Sequence, residues 1–173
     1  MRKNERPKIK IPYSRKHLCT DIAILAIVLL MAAAAFVAAG SIPDAGQVPS
    51  HFDFFGNPDA YISGSQLLRV LLVPVFMALL FPALFSVLRL FPRRFNYPVT
   101  ITHLNAAKQY QISVDMIYEL KLSISILFVC MEGAMIYSIF RKNGYYIFAM
   151  LFPALFWVFW IIAKGFRASV RNR

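Results

Sequence analysis

The chain has few cysteines and few acidic residues, and this scarcity limits the metal sites and catalytic sites that it can form. Its 173 residues include 2 Cys and 8 Asp or Glu, against 19 Lys or Arg. No Cys-x-x-Cys pair and no zinc-type grouping of Cys with His occurs, so Cys19 and Cys130 are expected to act as small hydrophobic residues. A nucleophile elbow, a catalytic Ser-His-Asp order and a phosphate-binding glycine loop are also missing. We therefore predict neither an enzyme nor a cofactor.

Charged residues make up only 16% of the chain, whereas apolar residues make up 59%, more than a soluble domain of this length can bury. Crossing the hydrocarbon core of a membrane takes about 20 mainly apolar residues. The sequence predicts an all-α membrane protein with one domain over 18–173, and its apolar runs lack the period-2 alternation of a membrane β-barrel. The four predicted transmembrane helices lie at about 20–40, 67–90, 122–140 and 145–163.

A polar, basic leader precedes the first apolar run. Residues 1–17 are expected to be mobile, and Thr20 or Asp21 would then cap the first helix. Since small residues follow the apolar run, a cleaved signal peptide is an alternative. The run 22–39 is longer than a usual signal-peptide core, which favours an uncleaved signal anchor.

The basic residues are distributed unevenly around the predicted helices. Of the 19 Lys and Arg, 16 lie in the leader, between the second and third helices, or in the tail. Such residues are retained on the cytoplasmic side, so both termini and the segment 91–121 are predicted to be cytoplasmic and the loop 41–66 external. Because the positive groups flank apolar helices, the expected partners are membrane lipids and not nucleic acid.

The predicted cytoplasmic segment carries an amphipathic helical pattern between Leu104 and Lys121, with Thr102 as the N-cap. This helix could run straight into the third transmembrane helix or pack under the bundle. Recruitment of a cytoplasmic regulator is a further interpretation of the same pattern.

The external loop has the pattern of a small hairpin. From Val48 onward, apolar and polar residues alternate, as in a half-buried strand. Residues 56–59, Gly-Asn-Pro-Asp, form a predicted turn, since Pro fixes one dihedral angle and Gly is free to take a positive φ. Residues 60–62 would return as the second strand, so that an aromatic hairpin caps the outer face.

The loop contains, in order, Pro43, Asp44, Val48, Pro49, His51, Phe52, Gly56, Pro58 and Asp59. With these residues it resembles the signature of a bacterial membrane domain of unknown function, found at the N-terminus of SdpI-like immunity proteins, and this resemblance implies a location in a bacterial plasma or inner membrane. The resemblance covers about residues 20–125, although Gly64 stands where that family often has a basic residue. It implies immunity to, or sensing of, an extracellular peptide or protein toxin, with signalling to a cytoplasmic regulator. A later stretch also resembles the cytoplasmic segment of that family, namely Asn96, Tyr97, Pro98, Asn105, Ala106, Ala107, Gln109 and Tyr110.

The hairpin also supplies the candidate ligand-binding residues. Aromatic side chains there would give contact area, and carboxylates would favour a cationic partner. His51 and Asp53, with Asp44 or Asp59, could alternatively hold a metal, but one His among scattered Asp is more simply explained by hydrogen bonding within the turn. The predicted ligand-binding residues are His51, Phe52, Asp53, Phe54, Asp59 and Tyr61.

Glu132 is the second candidate, because it is the one charged residue inside the third apolar run. An intramembrane carboxylate is costly and marks a functional position by default. Glu132 could instead be structural, if it donates, when protonated, to a carbonyl freed by Pro74, Pro82 or Pro153. An alternative function follows from the first interpretation, namely a small transporter or channel subunit in which Glu132 lines the pathway.

Overall fold

A computed structural model of the chain describes residues 5–53, 55–144 and 146–173. Its elements are four α-helices, each with a stretch long and apolar enough to cross a membrane, a short 3-10 helix at Pro92–Arg94, and one two-stranded antiparallel hairpin. The predicted helical architecture and the small hairpin are thus confirmed. The helices are α1 (Arg15–Gly40), α2 (Gly64–Leu88), α3 (Ala106–Arg141) and α4 (Tyr146–Arg171), and the strands are β1 (Gln47–Phe52) and β2 (Pro58–Ser63).

Helix α3 is the centre of the bundle, because it packs against α1, α2 and α4. Small residues bring α1 and α2 together: Ala35 packs near Leu67 and Leu71, and Ala78 lies near Met31. The outward faces of the helices are apolar and exposed, for example Leu30 and Phe156. Such a surface is compatible with a multi-pass membrane protein whose outer faces are covered by lipid.

The amphipathic pattern and the third apolar run form one helix of 36 residues. At about 1.5 Å per residue this helix is about 54 Å long, and the portion from Lys121 to Arg141 spans about 30 Å, the thickness of a hydrocarbon core. The prediction that Thr102 is the N-cap is wrong by three residues, since Asn105 holds that position. The two side chains bond each other's backbone N–H groups, at 2.9 and 3.3 Å, which closes a turn just before the helix begins.

Helix α1 begins at Arg15, earlier than predicted, and Thr20 and Asp21 lie inside it. The cap is Ser14, whose hydroxyl accepts the N–H of His17 at 3.3 Å, while Nδ1 of His17 accepts the N–H of Ser14 at 3.3 Å. These two bonds form a capping box at the start of the helix, so neither Thr20 nor Asp21 is the N-cap.

The described part of the leader packs against the bundle, in contrast to the mobile leader predicted. The hydroxyl of the fully buried Tyr110 donates to the carbonyl of Pro7 at 3.2 Å, and Ile9 and Ile11 pack against the same cluster. These apolar contacts offset the ordering of a segment that composition alone indicated to be free.

The three basic regions meet at one end of the bundle, called here the inner end, and the hairpin lies at the opposite, outer end. Arg6 donates to the carbonyls of Arg93 at 3.1 Å and Phe95 at 2.7 Å, which joins the leader to the connection between α2 and α3. Gln109 donates to the carbonyl of Ser169 at 2.9 Å, which joins α3 to the tail. The predicted topology requires this shared end.

Cysteine labelling tests on which side of the membrane each end lies. In a background of Cys19→Ser and Cys130→Ala, Ala45→Cys near the hairpin should react with a membrane-impermeant maleimide in intact cells. Leu104→Cys, at a position 97% exposed on the inner end, is the matched control and should react only after permeabilisation. The reverse pattern would overturn the positive-inside orientation.

Candidate functional site

The outer hairpin is held in shape by Asp53. Its Oδ1 accepts the N–H groups of Phe55 and Asn57, both at 2.8 Å, and its Oδ2 accepts the amide of Asn57 at 3.1 Å. These bonds lower the pKa of Asp53 below its ordinary value, the hydrogen bonds from Asn57 making the largest contributions. The turn also requires Gly56, whose φ of 85° is accessible to glycine without steric cost. Asp53 therefore stabilises the turn, and its carboxylate is already occupied.

The hairpin is docked onto the turn between α3 and α4. The N–H of Gly144 donates to the carbonyl of Gly56 at 2.9 Å. Phe52 lies so close to Gly144 that a Cβ there would be 2.6 Å from its Cγ, nearer than atoms can approach. A glycine at position 144 is thus required for the hairpin to sit on the helices.

Between the hairpin and the helices lies a mainly apolar cavity of about 240 Å³, called here the outer cavity. The strand β1 forms its roof, and the outer ends of α2, α3 and α4 form its walls. Its lining residues are Pro49, Ser50, His51, Phe52, Asp53, Ile62, Leu67, Val70, Met135, Ile139, Gly144 and Ile147.

His51 and Asp59 form a polar pair at the edge of the outer cavity. Nδ1 of His51 lies 2.5 Å from Oδ1 of Asp59, and both side chains are substantially exposed. Tyr61 is exposed, but it does not line the cavity. Phe55, which sequence reasoning passed over, is 78% exposed at the tip of the turn.

The structure brings three of the predicted ligand-binding residues, His51, Phe52 and Asp53, to the cavity wall, and Asp59 joins them through His51. Phe54 lies outside the described residues. Within residues 5–53, 55–144 and 146–173, no group of three or more His, Cys, Asp or Glu is placed to hold a metal ion.

Glu132 lies in a second cavity, of about 300 Å³, between α1 and α3. Its side chain is 3% exposed, and its Oε1 has no hydrogen-bond partner among the described residues. The predicted structural role of Glu132 was a hydrogen bond to a carbonyl freed by a helix proline. Oε1 does not make this bond. The hydroxyl of Ser125, earlier in α3, donates to the carbonyl of Lys121 at 3.0 Å.

The inner end contains a buried polar network that was not predicted from the sequence. Lys121, only 2% exposed, forms an ion pair with Asp21 and donates to the hydroxyl of Ser86 at 2.8 Å, so that it ties α3 to both α1 and α2. The ring of His17 stacks on Tyr118 at 3.9 Å. The one signal in the sequence was that Asp21 and Lys121 both border apolar runs.

The same network fixes the tautomer of His17. Since Nδ1 of His17 accepts the N–H of Ser14, the proton of a neutral ring lies on Nε2, which is 3.2 Å from Oδ1 of Asp115. His17 therefore caps α1 and donates to α3 at the same time.

No family model, curated protein or solved structure matches this chain. The resemblance to SdpI-like proteins accordingly stays a prediction.

Acid should release the hairpin turn. A carboxyl whose pKa is lowered by folding stabilises the fold above its ordinary value, 3.8 for Asp53, and this stabilisation is lost as the pH falls through the lowered value. We expect the protection factors of the Phe55 and Asn57 amides to stay constant from neutral pH to about 4 and to fall below it. Asp53→Ala should lose this protection at every pH, and unchanged protection in that variant would contradict the role of Asp53.

Removing Asp21, the more exposed partner of the Asp21–Lys121 pair, should lower the stability of the fold markedly. Asp21→Ala leaves a buried ammonium unpaired, and we expect a loss of about 3–5 kcal/mol in the free energy of unfolding. Adding Lys121→Met should recover most of this loss, because no buried charge then remains. The free energy of unfolding of both variants is measured in mixed micelles. Glu119→Ala, which breaks the more exposed pair with Lys164, is the control and should cost at most about 1 kcal/mol; equal losses at the two pairs would refute the role assigned to burial.

Proposed function

We propose that the outer end of this bundle recognises an extracellular peptide or protein, in an immunity or sensing role of the SdpI-like type. In this proposal the chain is a multi-pass protein of a bacterial cell membrane, with both termini in the cytoplasm. The single observation that carries the proposal is the outer cavity, a mainly apolar space roofed by the hairpin at the end opposite the basic regions.

The size of the cavity favours one side chain of a larger ligand. Sites for whole small molecules usually have about 300–1,000 Å³, and the outer cavity, at about 240 Å³, is smaller. Recognition of proteins and peptides commonly depends on one or two bulky anchors that fill such pockets. Phe55 and Tyr61, both exposed on the hairpin, add aromatic contact area around that anchor.

The charges at the cavity edge favour a basic residue next to the anchor. Both oxygens of Asp53 are bonded within the turn, whereas Asp59 is exposed and uses only Oδ1 for its contact with His51. An exposed carboxylate contributes more to the rate and specificity of association than to affinity. We therefore expect ligands that combine a bulky apolar side chain with a neighbouring Lys or Arg.

Filling the cavity tests the anchor. A random peptide library is selected on the wild-type chain in nanodiscs, and bound peptides are measured against variants. Val70→Phe places a larger side chain in the cavity and should weaken binding more than tenfold, as expected for loss of a hot-spot pocket. Val73→Phe, the same substitution at an exposed position of α2 outside the cavity, is the matched control and should bind as the wild type does.

Equal binding by Val70→Phe and the wild type would refute the proposal. Selected peptides whose binding requires only Lys or Arg, and no bulky apolar residue, would also refute it. Asp59→Asn should slow association with basic peptides and should not affect peptides that lack a basic residue.

A further inference from the structure

The cavity that contains Glu132 is separate from the outer cavity and shares no lining residue with it. It is called here the lateral groove, and it lies between α1 and α3. Glu132 is nine residues before the end of α3, which places it about 14 Å along the axis from that end, near the middle of the apolar part of the helix. The lining residues are Ile27, Leu30, Met31, Ala34, Val129, Glu132, Gly133 and Ile136.

The groove presents one polar atom in an apolar wall. Every lining side chain except Glu132 is a hydrocarbon, a thioether or the hydrogen of glycine, and none of these is a good hydrogen-bond donor. Oε1 of Glu132 is buried without a partner among the described residues. A buried polar group without a partner needs an explanation, and a ligand that brings its own donor is one.

The groove is open towards the surroundings of the bundle. Leu30 and Val129, on its two sides, are exposed large hydrophobic residues. At Gly133 an added Cβ would meet no heavy atom within 4 Å. A ligand dissolved in the bilayer therefore has direct access, and the volume of about 300 Å³ is at the lower end of the usual range for small-molecule sites.

We propose that the lateral groove binds a lipophilic amine, with its ammonium group on Glu132 and its hydrocarbon chain along α1 and α3. A protonated amine pairs with the ionised carboxylate, so the complex is neutral in an apolar wall. A neutral donor or an anionic ligand cannot form such an ion pair with Glu132. This proposal does not depend on peptide recognition at the outer end.

Binding of dodecylamine to the full chain tests the proposal. The chain is placed in phosphatidylcholine nanodiscs, whose choline groups carry no N–H donor, and titrations are corrected with empty nanodiscs. We expect saturable binding at least about tenfold tighter than that of dodecanol, which has the same chain length and no charge. Glu132→Gln keeps the shape of the side chain and should abolish the preference for the amine.

Gly133→Leu provides a second test, which does not depend on Glu132. Its side chain should occupy the groove and weaken the binding of dodecylamine at least about tenfold. Gly40→Leu is the matched control, because a Cβ at Gly40 also meets nothing within 4 Å but lies outside the groove, and it should bind as the wild type does.

Three results would overturn the proposal. The first is dodecylamine binding no greater than that to empty nanodiscs. The second is equally tight binding to the wild type, Glu132→Gln and Gly133→Leu. The third is a dimer that Gly133→Leu dissociates and that excludes the amine, since the groove would then be filled by a second copy of the chain.

Discussion

The docking of the hairpin onto the turn between α3 and α4 is the contact on which the outer end depends. A hydrogen bond from Gly144 to Gly56 and the close approach of Phe52 to Gly144 fix the tip of this two-stranded element over the helices. Its base is held separately, because Val48 of β1 is buried in the core formed with α1, α2 and α3. An isolated two-stranded hairpin is marginal in water. Without this contact the tip of the hairpin would no longer be fixed over the outer ends of α3 and α4, where it covers the outer cavity.

The two ends of the bundle differ in how they are stabilised. At the inner end, buried polar groups join all the helices: Lys121 bonds partners on α1 and α2, and Gln109 bonds the last residues of α4. Buried charge pairs contribute uncertain stability but penalise alternative packings, because a displaced partner leaves a buried charge behind. At the outer end, backbone hydrogen bonds and apolar packing serve instead. A recognition surface is expected at the end that can adjust at lower cost.

The sequence was sufficient for features that depend on local pattern. Length and apolarity located the four helices, and the alternation before Gly56 located the hairpin, because both patterns are encoded within about 20 neighbouring residues. The start of α1 was not predicted, because the partner of Ser14 in its capping box is His17. A usual capping box has Glu or Gln at that position. The bonds that Asp53 makes within the turn could not be predicted, because a carboxylate in a turn can bind either the turn or a ligand and only the folded structure distinguishes the two.

Long-range pairings could not be deduced from one sequence. Asp21 and Lys121 are 100 positions apart, and each reads separately as a charge that ends an apolar run. Likewise, Glu132 stood out by its position in the chain, but the groove around it is formed by residues of α1 that carry no distinctive signal. Such sites come from packing, which places ordinary Ile, Leu and Ala side chains around one unusual residue.

The central claim is that the hairpin is a docked roof and not a free loop. Amide hydrogen exchange of Gly144, measured in nanodiscs, tests this claim directly, because that N–H is the donor of the docking bond. The docked structure predicts exchange far slower than that of an unprotected amide in a loop, on the scale of amides inside α3. Exchange of Gly144 at the rate of a free loop amide would contradict the account, since the outer cavity would then lack a stable roof.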